Sequence, residues 1–249
     1  MICAQKWAVG VVFLAAVSCS PGSGIWSAAV AAGEQKGSVM GETDMYPALT
    51  AYLHARAAEM DTIGPDRRAK LDELAAYVAE RAARGGPVRL NFVCTHNSRR
   101  SHMSMLTAAA AAAMHGVKVT TYSGGTESTA FNPRAVAAIE RAGFGVVKTT
   151  EGANPVYHVS ISDALPAMTC FSKKYDGDPN PKSGFAAVMV CDDADEKCPV
   201  VVGADARFPI KYLDPKVSDG TKAEAATYDE RCAQIAREMM YVFATVAAG

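Results

Sequence analysis

The sequence predicts an α/β fold in which helices cover a parallel sheet. From Pro87 onward, apolar strand-like runs alternate with helical segments, and repeated strand–helix units of this kind are typical of parallel sheets. The 249 residues, 49% of them hydrophobic and 20% charged, suit one globular domain with extensions or two small domains. We therefore expect one sizeable core built on the segment that begins at Pro87.

The predicted strands follow the apolar runs in chain order. The clearest are "VRLNFV" at 88–93, "VKVTTYS" at 117–123, "FAAVMV" at 185–190 and "FPIKYL" at 208–213. A less regular stretch over 146–184 contains two further extended pieces, "VYHVSIS" and "MTCFS".

Helices are predicted from capping residues, from alanine-rich composition and, over 66–84, from apolar residues at a spacing of three to four. The predicted ranges are 45–60, 66–84, 101–115, 132–143 and 224–247. Asn132 followed by Pro133 is a helix start, and Gly143 is a helix end. We divide the chain into a leader at 1–33, a linker and helical pair at 34–84, and the α/β domain at 85–249.

The first residues predict export. Lys6 is followed by an apolar run at 7–17, which is too short to span a bilayer and is typical of a secretory signal. Cleavage is expected either before a lipid-anchored Cys19 or after the small residues of "AAVAAGE". The expected location is thus periplasmic, with membrane contact only through a lipid at Cys19. If translation starts at Met40 instead, the protein is cytoplasmic.

Net charge and the number of cysteines indicate which kinds of function are expected. A net charge of −1 gives no electrostatic reason to expect nucleic acid as a partner. Five cysteines remain beyond the leader, and an odd number favours reactive thiols over a disulfide framework. They are Cys94, Cys170, Cys191, Cys198 and Cys232.

No metal site is predicted. The chain contains no C-x-x-C pair, and His96 and His102 lack partners at ligand spacing. We therefore expect no bound cofactor.

Polar or reactive residues follow several predicted strands. Cys94, Ser123, Cys191 and Asp214 each come at the end of a strand-like run or shortly after it. Ligands of open α/β sheets bind beyond the carboxyl ends of the strands, so these side chains are expected to share one edge.

The segment "VCTHNSRRS" carries the strongest functional signal. Cys94 and Arg100 enclose five residues, and Ser101 opens the next predicted helix. Five residues between a strand and a helix can curl so that their N–H groups surround a tetrahedral dianion, which Arg100 closes with two hydrogen bonds. The same field keeps Cys94 as a thiolate nucleophile, and Ser101 donates to its sulfur. The residues that would cradle the oxyanion are Thr95, His96, Asn97, Ser98, Arg99 and Ser101.

A simpler interpretation stays open. Cys94 is alternatively a buried structural thiol before an exposed basic helix start. The spacing of Cys94 and Arg100 alone does not decide between the two.

"FVCTHNSRRSHMS" and "YSGGTESTAFNPRAVAAIERAGF" together resemble the low-molecular-weight protein tyrosine phosphatases and the thioredoxin-coupled arsenate reductases of the same superfamily. The resemblance covers roughly 87–249 and leaves the helical pair outside. It implies a four-stranded parallel sheet flanked by helices, here with an N-terminal helical extension. It also implies an enzyme that acts on a small oxyanion, either arsenate or a phosphate ester.

The reductase branch is favoured by "VMVCDDADEKCPV", which resembles a segment with two further redox cysteines. By this resemblance Cys94 forms an arsenate adduct, Cys191 attacks Cys94, and Cys198 attacks Cys191 across a flexible polar loop. An external thioredoxin-like protein would reduce the product, and an exported enzyme would need a periplasmic thiol donor. A core cysteine with a surface cysteine, or a static disulfide, is the alternative.

The segment "YLDPKVSDG" distinguishes the branches less sharply. By resemblance Asp214 is the general acid that protonates the leaving oxygen. Lys216 and Val217 stand where the phosphatases usually carry aromatic residues, and Arg99 stands where reductases commonly have a cysteine. We expect arsenate reduction, with a phosphomonoesterase as the enzyme alternative and a non-catalytic oxyanion-binding protein as the third hypothesis.

Overall fold

The structure is a computed structural model that describes residues 44–197 and 200–249. The leader, with its two expected processing sites, and Cys198 lie outside the described residues. In the described part of the chain, no helix combines the length and the apolar character needed to cross a membrane.

Seven strands and six α-helices make up the described fold. The strands are β1 (Arg89–Cys94), β2 (Thr120–Gly125), β3 (Gly145–Lys148), β4 (Tyr157–Ser160), β5 (Met168–Cys170), β6 (Phe185–Met189) and β7 (Ala204–Pro209). The helices are α1 (Pro47–Ala57), α2 (Pro65–Ala83), α3 (Arg100–Met114), α4 (Pro133–Arg141), α5 (Asp192–Lys197) and α6 (Glu224–Ala248).

The central sheet has four parallel strands in the order β2-β1-β6-β7. All five residues of β6 are buried, and so are five of the six residues of β1, because helices cover both faces of the sheet. The predicted fold class, a four-stranded parallel sheet flanked by helices, is confirmed.

The carboxyl ends of β1, β6 and β7 lead into the predicted site residues. Cys94 is the last residue of β1, Cys191 follows β6, and Asp214 follows β7. Ser123 does not share this edge, and the prediction that it does is wrong. It lies inside β2 opposite Phe92 and is fully buried, because β2 continues to Gly125.

A second sheet stands apart from the first. Strands β3, β4 and β5 pair antiparallel in that order, within the stretch that the sequence shows only as irregular with two extended pieces. The residues after β5 return to the end of β2, where the N–H of Gly125 donates to the carbonyl of Lys173. The residues that follow β5 therefore lie at the edge of the central sheet where the site residues lie.

The segment "DDADEK" is helix α5, so the prediction of a flexible polar loop there is wrong. Three aspartates stand in its first turn, where a carboxylate is favoured by the positive end of the helix dipole.

Helices α1 and α2 pack against the long helix α6. Leu49 and Leu53 of α1 and Leu71 and Leu74 of α2 are fully buried, which explains their spacing of three to four residues. A salt bridge of 2.7 Å between Arg67 and the buried Glu238 joins α2 to α6. The N-terminal helices thus complete the core on the α6 side.

Candidate active site

The loop between β1 and α3 is built around the thiol of Cys94. That residue is 4% exposed, and its Sγ lies 3.1 Å from the hydroxyl oxygen of Ser101. The side-chain amide of Asn97 donates to the same hydroxyl oxygen at 2.9 Å. Because the hydroxyl oxygen is already an acceptor, its proton is available for a hydrogen bond to the sulfur.

The carbonyl groups of the loop are bound from outside it. Neighbouring residues donate to the carbonyl oxygens of Cys94 (from Thr126 N, 3.1 Å), Thr95 (Glu127 N, 2.8 Å), His96 (Ser172 Oγ, 2.8 Å), Ser98 (Asn132 N, 2.9 Å) and Arg99 (Met103 N, 3.0 Å). A carbonyl and the N–H of the same trans peptide point in opposite directions. Outward carbonyls therefore turn the N–H groups of the loop inward.

The inward N–H groups line a concavity at the start of α3. In the described part of the chain, no residue accepts a hydrogen bond from the N–H groups of residues 96–100. Helix α3 begins at Arg100, so the positive end of its dipole adds to their field. Donors of this number and orientation match a tetrahedral oxyanion.

Asn97 fixes the shape of the loop. It has a φ of +44°, a left-handed conformation that asparagine tolerates better than most residues, and it is fully buried. Its side-chain oxygen accepts the N–H of Lys173 at 3.0 Å, and its amide nitrogen lies 3.5 Å from Nδ1 of His102. The pKa of His102 is held well below its ordinary value by burial and then by the charge of Lys173. A neutral ring therefore sits against Asn97.

Arg100 and Asp214 face each other at the mouth of the loop. Nη2 of Arg100 donates to Oδ2 of Asp214 at 2.7 Å, and Nη1 donates to the carbonyl of Tyr212 at 2.9 Å. The Arg100 side chain is 11% exposed and that of Asp214 33%, so both reach the solvent that a substrate would come from. The structure thus brings together the predicted anion clamp and the predicted general acid.

The side chain of Arg99 takes a different direction. Its Nε donates to the hydroxyl of Tyr228 at 2.7 Å, and its Nη2 lies 3.3 Å from Asp219. The backbone N–H of Arg99 belongs to the concavity, but its guanidinium anchors the loop to α6 and to the turn after Asp214.

Cys191 lies beside the loop. Its Sγ is 3.5 Å from Oγ1 of Thr95, the residue next to Cys94, and it accepts the N–H of Ala194 at 3.4 Å. Cys191 is a free, buried thiol. Its predicted partner Cys198 lies outside the described residues, so their pairing stays a prediction.

A surface cavity of about 550 Å³ borders the loop. It is lined by His96, Ser98 and Arg99 of the loop, by Lys216, and by residues of the segment that joins β2 to α4. The cavity offers space beside the concavity for whatever group an oxyanion is attached to.

Three residues that support the loop from the side of the second sheet are not among the predicted site residues. Ser172 and Lys173 contact His96 and Asn97 directly, and Asn154 binds Ser172. In the sequence, "SKK" at 172–174 stands out only for its basic charge. The contacts of this segment with the loop join residues 76 apart and follow no periodicity, so no local pattern could have indicated them.

Cys170 and Cys232 are buried away from the loop of Cys94. Burial raises the pKa of Cys170 to about 12 and the pKa of Cys232 to about 11. Both thiols are therefore almost fully protonated at neutral pH and suit core packing.

Comparison with known proteins returns structures alone. No protein-family model and no curated protein sequence matches the chain. A low-molecular-weight phosphotyrosine phosphatase from Vibrio cholerae O395 is 12% identical over 62% of this chain and 93% of that one, with a TM-score of 0.42. A low-molecular-weight protein tyrosine phosphatase from T. tengcongensis is 18% identical over 62% and 96%, with a TM-score of 0.43.

A thioredoxin-dependent arsenate reductase from Corynebacterium glutamicum is 18% identical over 75% of this chain and 81% of that one, with a TM-score of 0.34. These similar structures are of the two kinds that the loop sequence resembles.

Proposed function

We propose that the chain is an arsenate reductase-like enzyme in which Cys94 attacks an oxyanion held by the loop. The observation that carries the proposal is the position of Cys191, whose sulfur lies 3.5 Å from the hydroxyl of Thr95. A second thiol beside the nucleophile's loop has no role in simple ester hydrolysis, whereas a thiol relay requires one there.

The first step is adduct formation. The N–H groups of residues 96–100 and the guanidinium of Arg100 bind arsenate, and the Cys94 thiolate attacks arsenic. An arsenic–oxygen bond breaks, and the leaving hydroxide takes a proton from Asp214 and departs as water. Arg100 exchanges its contact with Asp214 for the oxyanion, which frees that carboxyl group for proton transfer.

The second step is reduction. The Cys191 thiolate attacks the sulfur of Cys94 and forms a disulfide. The electron pair of the sulfur–arsenic bond stays on arsenic, which goes from As(V) to As(III) and leaves as arsenite after taking protons from water. Two thiols have then supplied the two electrons.

The third step regenerates the nucleophile. Cys198 attacks Cys191, the Cys94 thiolate is released, and a Cys191–Cys198 disulfide remains. A thioredoxin-like dithiol in the same compartment as the chain would reduce it. This step rests on the sequence, because Cys198 lies outside the described residues.

A phosphomonoesterase is the second candidate. The cavity of about 550 Å³ beside the loop favours it, because free arsenate needs no such space and an ester group does. Cys94 would form a phosphocysteine while Asp214 protonates the leaving alcohol, and water would then release phosphate.

One experiment separates the candidates. Arsenate-dependent thiol oxidation and phosphate-ester hydrolysis are measured for the wild type, Cys198→Ser and Cys94→Ser. We expect Cys198→Ser to lose arsenate turnover and to keep any ester hydrolysis, and Cys94→Ser to lose both. Ester hydrolysis that is indifferent to Cys198, without arsenate turnover in the wild type, would contradict the reductase. Oxyanion binding with neither activity would identify a non-catalytic binder.

A further inference from the structure

The carbonyl of His96 is bound differently from the other carbonyls of the loop. The segment after β2 binds those of Cys94, Thr95 and Ser98 through its backbone N–H groups. At His96 the same segment offers only the hydroxyl of Thr129, at 3.3 Å. The shorter bond, of 2.8 Å, comes from the hydroxyl of Ser172, which lies just after β5 of the second sheet.

Ser172 connects three segments at one buried point. It is 3% exposed, and its Oγ accepts the N–H of Thr129 at 2.7 Å while it donates to His96. The amide of Asn154 fixes the backbone of Ser172 with two hydrogen bonds, one to its carbonyl at 2.8 Å and one from its N–H at 3.0 Å. The hydroxyl therefore has little freedom to leave His96.

The bond to His96 determines the direction of one donor to the oxyanion. The His96 carbonyl and the Asn97 N–H belong to the same planar trans peptide and point in opposite directions. An outward His96 carbonyl therefore aims the Asn97 N–H into the concavity. The neighbouring Lys173 holds the other side of Asn97 through its side-chain oxygen, at 3.0 Å.

We propose that Ser172, held by Asn154, is a positioning residue for the oxyanion loop. It acts through His96 and orients the Asn97 N–H before the oxyanion arrives. This inference rests on the proposed function only in requiring that the loop takes a tetrahedral oxyanion, and it holds for the reductase and the phosphatase alike. Through Ser172, which follows β5, the second sheet supports the loop between β1 and α3.

The expected consequence is a loss of affinity and of rate in a folded protein. Ser172→Ala removes the shorter of the two hydrogen bonds to the His96 carbonyl and the acceptor for the N–H of Thr129, so the peptide is held only by the longer bond from the Thr129 hydroxyl. One misdirected hydrogen bond to a charged oxyanion corresponds to about a tenfold rise in the dissociation constant. A similar fall in kcat is expected, because the transition state uses the same donor.

The test measures the dissociation constant of inorganic phosphate by calorimetry, together with kcat and KM for arsenate and for p-nitrophenyl phosphate. The variants are Ser172→Ala, Ser172→Thr, which keeps the hydroxyl, and Asn154→Ala, which keeps Ser172 but releases its backbone. Thr169→Ala removes an exposed hydroxyl from β5 and is the matched control. Urea unfolding establishes that each variant is folded at the assay temperature.

We expect weak phosphate binding in Ser172→Ala, recovery in Ser172→Thr, an intermediate loss in Asn154→Ala and no change in Thr169→Ala. If Ser172→Ala and Asn154→Ala both bind phosphate as the wild type does, the inference is overturned and the proposed function stands. Equal losses in Ser172→Ala and Thr169→Ala would also overturn it, because a general loosening of β5 would then be the cause. A wild type that binds no phosphate overturns the proposed site and this inference together.

Discussion

Cys94 and Cys170 are each the last residue of a strand, and both are buried, yet their surroundings differ. Beyond Cys94 the chain curls around inward N–H groups, and the hydroxyl of Ser101 lies 3.1 Å from the sulfur. At Cys170 the sulfur donates to the carbonyl of Met168 at 3.6 Å, and burial raises its pKa to about 12. In the proposed function the loop after the strand makes Cys94 a nucleophile, whereas burial keeps the Cys170 thiol protonated.

Replacing each thiol in turn is expected to give the largest difference in activity between the two strand ends. Cys94→Ser is expected to lower arsenate turnover and ester hydrolysis by at least about a thousandfold, because the hydroxyl is a far weaker nucleophile in the same loop. Cys170→Ala is expected to keep kcat and KM within about twofold and to lose only packing energy. Comparable losses of kcat in both variants would show that the two strand ends do not differ in function.

Alkylation tests the same contrast without substitution. At pH 8 a thiol with a pKa of about 12 is ionised in about one molecule in ten thousand, and Cys170 is also inaccessible. We expect iodoacetamide to modify Cys94 at least about a hundredfold faster than Cys170, as measured by peptide mass spectrometry over time. Inorganic phosphate should slow the reaction at Cys94 alone. Equal rates, or protection of Cys170 by phosphate, would contradict the assignment.

In the proposed function Asp214 is a proton donor on the side of Cys94, and Cys170 has no counterpart to it among the described residues. Asp214→Asn keeps the size of the side chain but removes the donor, and we expect kcat to fall by about a hundredfold. The loss should be largest for esters with poorly acidic leaving alcohols and smallest for nitrophenol, which needs no proton. Asp219→Asn, which alters the neighbouring carboxylate that contacts Arg99, is the control. A loss that is independent of the leaving group would assign Asp214 a purely structural role.

The neutral His102, which lies behind Asn97, is expected to have a smaller effect, on the pH dependence of the free energy of unfolding. Its pKa is lowered in the folded protein, so below about pH 6.5 the unfolded chain takes up a proton that the folded chain refuses. Below about pH 6.5 the free energy of unfolding therefore decreases as the pH is lowered, by up to about 1.4 kcal/mol per pH unit from this group. We expect His102→Gln to flatten the decline between pH 6 and 5 in urea unfolding. The same slope in wild type and His102→Gln would refute the assignment.

The features that could be predicted from the sequence are local ones. The Cys94–Arg100 spacing, the hydroxyl of Ser101 and the Asn132 cap each depend on a few consecutive residues, and the structure places the first two in one loop and shows the cap bond at 3.0 Å. Strands β1 and β6 could be predicted because burial on both faces requires apolar residues. The strand predicted at 208–213 is wrong in its bounds, because β7 spans Ala204–Pro209 and most of its residues are only half-buried.

The features that could not be predicted depend on contacts between distant segments. Ser172 reaches His96 across 76 residues, and nothing near either residue indicates that pairing. Ser123 lies inside a strand that continues two residues further than its apolar run. Helix α5 has Ala194 as its one apolar residue, so no apolar period in the sequence could indicate it.

Amide chemical shifts of residues 96–100, followed as inorganic phosphate is added, report whether an oxyanion binds in the loop around Cys94. We predict saturable shifts at these five amides with one phosphate bound per chain, and their loss in Arg100→Ala. Unshifted loop amides at phosphate concentrations that saturate binding elsewhere on the chain would contradict an oxyanion site at Cys94.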